Sequence, residues 1–356
     1  MVGGERHDHD RHLDQVRLTV SIGQRELMAA FGSIWCVSRG GLAAGLFLAL
    51  ASAGAASTAS AATVLNVGKA SSNASAIIPV NVGDKLGIFA RHGLDLKIAD
   101  FTGGSKLAQA MTAGGIDIGV GAGTEMALVA KGAFMLAVCN AAPSIPFIGI
   151  AVPWDSPITT VAQLKGAKIG VSSPGSLTEW LALELARREG WGLQGVTPVS
   201  IGNAAASVVA AFREHLVDAD VAVTSLIFDM EEKRLGRLLL PVSDYAGNLA
   251  AGAIFATTQL TKTDPDAIRA FLAGWLETIA FMRSHKEETV NIESAVTGFP
   301  PSVMSREYDL TIGMFSSDCR FDAQSLATLK RSFMDLQLLK EAPDMSKLYS
   351  ETFLPK

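Results

Sequence analysis

The stretch Ala167-Lys-Ile-Gly-Val171, Ser172-Ser-Pro-Gly-Ser176, Leu177-Thr-Glu-Trp-Leu-Ala-Leu-Glu-Leu-Ala-Arg-Arg188 decides the fold. A short apolar run reads as a buried strand, a loop of small residues turns the chain, and a run at helical spacing follows. Ser176 with Glu179 three residues on forms a capping box, which marks where the helix begins. A second strand, Val196–Ile201, comes next. Strand, loop, helix and strand in this order make a unit whose two strands run parallel, because the helix carries the chain back across the sheet.

The pattern continues in both directions. On the C-terminal side stand a helix at Ala204–Phe212, a strand at Ala219–Val223, a helix at Ile227–Leu235 and a strand at Arg237–Leu240. On the N-terminal side, Val64–Val67 reads as a strand. A helical stretch then runs to His92, where Gly93 supplies the left-handed stop. Strands at Leu94–Ala99, Ile116–Val120 and Phe134–Cys139 alternate with helices at Lys106–Thr112 and Glu125–Ala130. Two extended segments, Ile145–Val152 and Asn248–Thr257, join these sets, so the chain leaves one lobe, builds a second and returns. Two crossings make a hinge that permits closure around a ligand. Beyond Thr257 the chain turns helical. Asp264-Pro265 is an N-cap with proline at the first helical position, and Ile268, Phe271, Leu272, Trp275, Ile279 and Met282 line one face of the helix to Ser284. Further helices are predicted near Lys286–Val296, Pro301–Met314 and Asp322–Leu339. The expected fold is α/β: two mostly parallel sheets with helices on both faces, joined by two crossover strands. Residues 62–148 and 254–356 form lobe one, and 149–253 lobe two.

Composition agrees with an exported chain. Hydrophobic residues make up 49% and charged residues 18%, and the apolar excess is concentrated between Gly40 and Ala62. Arg39 precedes the run Leu42–Leu50, small residues follow, and Ala59-Ser60-Ala61 suits a signal peptidase. A spanning helix needs about 20 apolar residues, and this run is shorter. Residues 1–61 are therefore expected to be an N-terminal extension and a cleaved signal peptide, with export to the periplasm. No cysteine follows the run to carry a lipid. His7, His9 and His12 have a spacing that could ligate a metal, and Met28 offers an alternative start before an ordinary signal. The remaining 295 residues keep a net charge of −5, which argues against nucleic acid as a partner. Cys139 and Cys319 are the cysteines left after cleavage; whether they pair is open.

Four stretches resemble the nitrate/sulfonate/taurine-type substrate-binding proteins of ABC importers, a group related to pyrimidine-precursor binders. They are Lys85–Leu96, then Phe101–Ser105 with Gly114–Gly119, then Ile158–Val171, and the tail Ala342–Tyr349. Their order spans the chain after the signal. The resemblance implies a two-lobed periplasmic-binding-protein fold of type II, a ligand in the cleft, and a membrane permease with its cytoplasmic ATPase as partners. It implies a monomer that is no enzyme and carries no cofactor or metal.

In open α/β sheets ligands bind beyond the C-terminal ends of the strands. That rule selects Lys69, Ser71, Ser72 and Asn73, then Gly103, Gly104 and Ser105, then Gly123 and Thr124 with Gly121. In lobe two it selects Ser172, Ser173, Gly175 and Ser176, then Asn203, then Thr224 and Ser225. Glycines let the backbone approach, and helix-start amides with hydroxyls suit a sulfonate, carboxylate or aromatic acid. Each has a plainer role. Ser176 can close its own helix, the glycines can serve turns, Thr124 can be an N-cap, and Lys69 can pair with an internal carboxylate such as Glu125 instead of an anion. Trp154, Asp244 and Tyr245 near the crossings are weaker candidates. No arginine occurs in these loops, against a simple carboxylate clamp.

Enzymatic signals are few. Gly119-Val-Gly-Ala-Gly-Thr124 has glycines at i, i+2 and i+4, not the i, i+2, i+5 of a dinucleotide fingerprint. His92, His215 and His285 stand apart from any nucleophile or metal phrase. The pyrimidine-synthase relatives use a cysteine-rich motif and a histidine with no counterpart here. A signalling receptor of the same fold remains an alternative to transport.

Overall fold

The structure, a computed structural model, describes residues 62–246 and 248–355. The export signal, the cleavage point at Ala61, the three N-terminal histidines and the start at Met28 lie outside the described residues. Ten strands follow in order: β1 (Thr63–Lys69), β2 (Leu94–Asp100), β3 (Ile118–Gly121), β4 (Met135–Ala142), β5 (Ile148–Pro153), β6 (Lys168–Val171), β7 (Thr197–Ser200), β8 (Ala219–Val223), β9 (Gly236–Pro241) and β10 (Gly252–Thr257). They form two five-stranded sheets, in the orders β2-β1-β3-β10-β4 and β7-β6-β8-β5-β9.

Each sheet is parallel in one half and receives one antiparallel strand. β1 lies parallel to β2 and β3, and β6 parallel to β7 and β8. β10 runs antiparallel to β3 and β4, and β5 antiparallel to β8 and β9. Those two strands are the ones that arrive from the other lobe, so the crossings lie at 143–147 and 242–251. The central strands are covered on both faces, which explains their continuous apolar sequence: Val67, Ile118 and Val120, and Ile169 and Ala219, are all 0% exposed.

Thirteen helices are described: α1 (Pro79–Lys85), α2 (Ile88–Arg91), α3 (Gly104–Thr112), α4 (Met126–Ala130), α5 (Leu177–Arg188), α6 (Ala205–Arg213), α7 (Thr224–Glu232), α8 (Ser243–Ala246), α9 (Leu260–Thr263), α10 (Pro265–Ser284), α11 (Lys286–Thr297), α12 (Pro301–Thr311) and α13 (Ala323–Asp335). The Asp264 carboxylate caps α10 by accepting from the Ala267 N–H at 3.0 Å. The six apolar positions predicted for its inner face are all buried, and the helix packs on α1 and α2. Burying each such side chain contributes about 1.5–3 kcal/mol.

The helical tail also reaches the second sheet. α12 packs on α7, and Val290, Phe299, Val303 and Met304 share an apolar cluster with Ala222, Leu226 and Phe228. Cys139 of β4 and Cys319, ahead of α13, are joined by a disulfide that closes a 180-residue span.

Candidate functional site

The C-terminal ends of β1, β3, β6, β7 and β8, with the start of α3, converge on one cavity between the lobes. Its first wall is the loop after β1 (Ala70, Ser71, Asn73, Ile77), the start of α3 (Gly103, Gly104) and the turn after β3 (Gly121, Ala122, Glu125). The second wall is Ser172 and Ser176 to Thr178, then Gly202 and Asn203, then Asp220 to Val223. Phe147, Val208 and Leu226 make much of the remainder apolar.

The lobes touch. The Asn203 side-chain amide of lobe two donates to Ala70 O at 3.2 Å, and Asn73 Nδ2 of lobe one donates to Asn203 O at 3.5 Å. At the lip, Ser105 Oγ donates to Pro174 O across the cleft. Gly103, at φ 112° and ψ 159°, lies against Ser173, and a side chain there would collide with its hydroxyl. The space between the lobes is about 70 Å³, well below the ~300 Å³ at the small end of organic-ligand sites. The lobes must part to admit a solute.

Of the residues selected from sequence, the structure brings Ser71, Asn73, Gly103, Gly104, Ser172, Ser176 and Asn203 onto the cavity wall, with Gly121. Ser105, Ser173 and Gly175 sit at the lip, where Ser105 Oγ lies near Gly175. Ser176 serves its helix as well as the wall: its Oγ accepts from the Glu179 N–H at 3.3 Å and meets Thr178 Oγ1 at 3.0 Å. Glu179 turns back to the Gly175 N–H at 2.5 Å.

The others lie elsewhere. Lys69 is buried and pairs with Asp100 at 3.0 Å, so it meets neither the cavity nor Glu125. Burial pulls its ammonium pKa down, and Asp100 opposes that. Ser72 is half-buried off the wall, and Gly123 is used in a backbone bond to Ala250 O at 2.7 Å. Thr124 and Ser225 are buried behind the wall, and their hydroxyls have no partner among the described residues. Thr224 Oγ1 donates to Glu307 at 2.5 Å. Trp154 is 43% exposed at the end of β5, and the Tyr245 hydroxyl donates to Glu189 at 2.9 Å.

Three acidic residues matter more than sequence reasoning allowed. Glu125 lines the cavity at 3% exposure; its Oε2 accepts from the Ala122 N–H at 2.6 Å, while Oε1 crowds Gly104. Burial pushes its carboxyl up to about 7. Asp220 lines the opposite wall at 2% exposure and has no hydrogen-bond partner among the described residues. Burial alone raises it to about 8. Glu307 of α12 takes hydrogen bonds from Ser75 of lobe one and Thr224 of lobe two, tying the lobes behind the cavity. The available signal for Asp220 was an acid in the middle of a buried strand, Ala219-Asp-Val-Ala-Val223, which needs a reason.

Among the described residues no lysine, arginine, histidine or cysteine lines the cavity. An outer groove of about 510 Å³ at its mouth is lined by Thr102, Lys106, Ser173, Ser200 and Ser207 among others, and Lys106 is its one basic side chain among the described residues. Among the described residues no group of three or more potential ligands is placed to hold a metal ion, and no helix is long and apolar enough to cross a membrane.

Comparison with known proteins agrees with this architecture. Residues 74–289 match the family described as NMT1/THI5 like. A Brucella abortus protein named only as a binding protein is 27% identical over 213 residues, 59% of this chain and 65% of the relative. An Escherichia coli K12 protein named for binding aliphatic sulfonates is 28% identical over 212 residues, with the same two shares. The match thus spans just under two thirds of these curated relatives. Among solved structures, the alkanesulfonate-binding protein SsuA from Xanthomonas axonopodis pv. citri, bound to MOPS, superposes with a TM-score of 0.70 at 20% identity, covering 82% of this chain and 99% of that one. The desulfurization enzyme DSZB superposes at 0.58 and 16% identity, over 82% and 97%. The chain has the two-lobed binding-protein fold, a fold that also hosts catalysis.

Proposed function

Because the chain belongs to the NMT1/THI5-like family, we propose that it is an exported solute receptor, which captures a small organic molecule between its lobes and delivers it to an ABC importer. The observation that carries this reading is the interlobe cavity, walled by strand ends from both sheets. Solute enters the open cleft and meets Ser71, Asn73 and Asn203 at the wall. Closure then forms the Asn203–Ala70, Asn73–Asn203 and Ser105–Pro174 bonds across the mouth. Motion is confined to the two crossings, with Glu307 as a strap behind them. The closed face is the shape that a permease, powered by its cytoplasmic ATPase, would recognise. The Cys139–Cys319 disulfide and the signal-like segment favour an oxidising compartment, and we place the receptor in the periplasm as a monomer.

An importer reading predicts that permease and ATPase reconstituted in vesicles take up the solute only when the receptor is added. If the receptor instead activates a signalling partner with no uptake, the sensor alternative holds. An enzyme of the pyrimidine-precursor type would alter the solute, and among the described residues the cavity wall has no histidine or cysteine. Recovery of the solute unchanged after long incubation separates the two.

The relatives' names supply a second reading, in which the solute is a sulfonate. The feature that favours it is Lys106 in the outer groove, beside the hydroxyls of Ser173 and Ser207. Lys106→Ala would then abolish binding of an anion such as benzenesulfonate.

A further inference from the structure

Among the described residues the walls of the inner cavity carry two ionisable side chains, and both are acids. Glu125 comes from the turn after β3 in lobe one, Asp220 from β8 in lobe two. Both are more than nine-tenths buried. Glu125 spends one oxygen on the Ala122 N–H, and Asp220 makes no hydrogen bond among the described residues. Asp220 is 2% exposed and lines the cavity, so a donor for its carboxyl can come from a cavity occupant. The surroundings have been kept small to make room for both groups. The side-chain positions of Gly104 and Gly170 are filled by the carboxyls of Glu125 and Asp220 themselves. Among the described residues, burial is what raises the Asp220 carboxyl, and burial opposed by backbone N–H groups what raises Glu125. The rest of the wall is apolar, from Ile77, Phe147, Leu177, Val208 and Leu226, with hydroxyl and amide groups at the mouth.

We propose that the inner cavity takes a small organic cation, an apolar body bearing a protonated amine or amidine, whose N–H groups are shared between the Glu125 carboxylate of one lobe and the Asp220 carboxylate of the other. The proposal rests on the solute-receptor reading and specifies its ligand. It also gives closure a driving force, because each lobe contributes one of the two acids, and a charge-assisted hydrogen bond in a dry site is among the stronger polar contacts. An anion would face two acids and no basic side chain. It could be held only while both were protonated, so the sign of the pH dependence separates the cases. Cation binding requires ionised acids and releases protons, whereas anion binding takes protons up.

The test uses residues 62–356 and named probes: benzylamine, benzamidine and cyclohexylmethylamine, with benzenesulfonate, benzoate and cyclohexanecarboxylate as matched anions. Thermal unfolding is followed at pH 6 and pH 8, and binding by calorimetry at pH 7 in two buffers of different ionisation enthalpy. At least one cation is expected to raise the midpoint by several degrees, more at pH 8 than at pH 6, with net proton release. Asp220→Asn and Glu125→Gln should each weaken that cation at least tenfold. The calorimetric proton count tests the same point on the unaltered protein should a variant fail to fold. Stabilisation by anions and not cations would overturn the proposal and leave the solute-receptor reading standing. Cation binding with proton uptake, or undiminished in both folded variants, would overturn it too. If no probe of either charge shifts the midpoint, the proposal fails, and the receptor reading is then judged separately by the solute screen.

Discussion

A single methyl group at Gly103 should hold the cleft open. Gly103 has φ 112° and ψ 159°, a conformation that L side chains rarely adopt, and it forms the lobe-one half of the lip contact. An alanine Cβ there would lie inside van der Waals contact of Ser173 Oγ, 3.0 Å from Ser173 Cβ and 3.2 Å from Ser172 Oγ, both on lobe two. Two costs follow, and they act on different states. Backbone strain, about 1–3 kcal/mol, falls on open and closed forms alike and lowers the thermal midpoint by some degrees. The clash exists only in the closed form. Forcing one extra carbon into a packed contact costs about 1–3 kcal/mol, roughly a 5- to 150-fold shift toward the open form. Small-angle scattering of residues 62–356 should show a larger radius of gyration for Gly103→Ala than for the unaltered chain. Adding Ser173→Gly removes the obstructing atoms, so the double variant should regain the compact radius while keeping the lowered midpoint. A single variant as compact as the parent, or a double variant that stays expanded, would refute the placement of this contact across the cleft.

Other expectations follow from the same structure. Removing the Cys139–Cys319 bond frees a span of 180 residues, so reduction or paired Cys→Ala substitution should cost about 2–5 kcal/mol in a denaturant titration; an unchanged midpoint would contradict the bond. Glu293 and Glu307 are raised by burial to about 8 and about 7, against roughly 4.3 in the unfolded chain. The folded state therefore binds more protons, and its stability is greatest below the unfolded value and declines as pH climbs toward 8. The melting temperature should fall between pH 5 and 8, and Glu293→Gln should flatten that fall; a rise would reverse the sign. Glu307→Ala orphans the hydroxyls of Ser75 and Thr224, each worth about 1–3 kcal/mol when buried and unpaired, whereas Glu307→Gln should cost far less in the same titration.

Much of the fold was legible in the sequence because its signals are local. The capping box at Ser176, the Asp264-Pro265 cap and the period of α10 depend on residues three or four apart, and α5, β8 and α10 lie where the pattern puts them. Short α8 and α9 carry no period to read. The cavity wall was half legible. The strand-end rule found Ser71, Asn73, Gly103, Gly104, Ser172, Ser176 and Asn203 because loop position suffices to place them. It could not tell the wall from what lies behind it, hence Thr124 and Ser225, nor foresee that Lys69 would reach Asp100 on the neighbouring strand. Asp220 and Glu307 were missed since their meaning is tertiary. An acid on a strand or a helix looks ordinary until the structure shows Asp220 without a partner and Glu307 between two lobes.

The central claim is that the closed cleft is a receptor for a small solute. Its most direct test is a thermal-shift screen of residues 62–356 against organic anions, cations, amino acids and pyrimidines, followed by mass spectrometry of whatever denatured protein releases. Ligand at about a thousand times its dissociation constant adds roughly 4 kcal/mol of stability, several degrees for a chain of this size. The account predicts a shift confined to one chemical class, weakened by Asn203→Ala, with the solute recovered unchanged. No shift from any class, together with no small molecule released on unfolding, would contradict it.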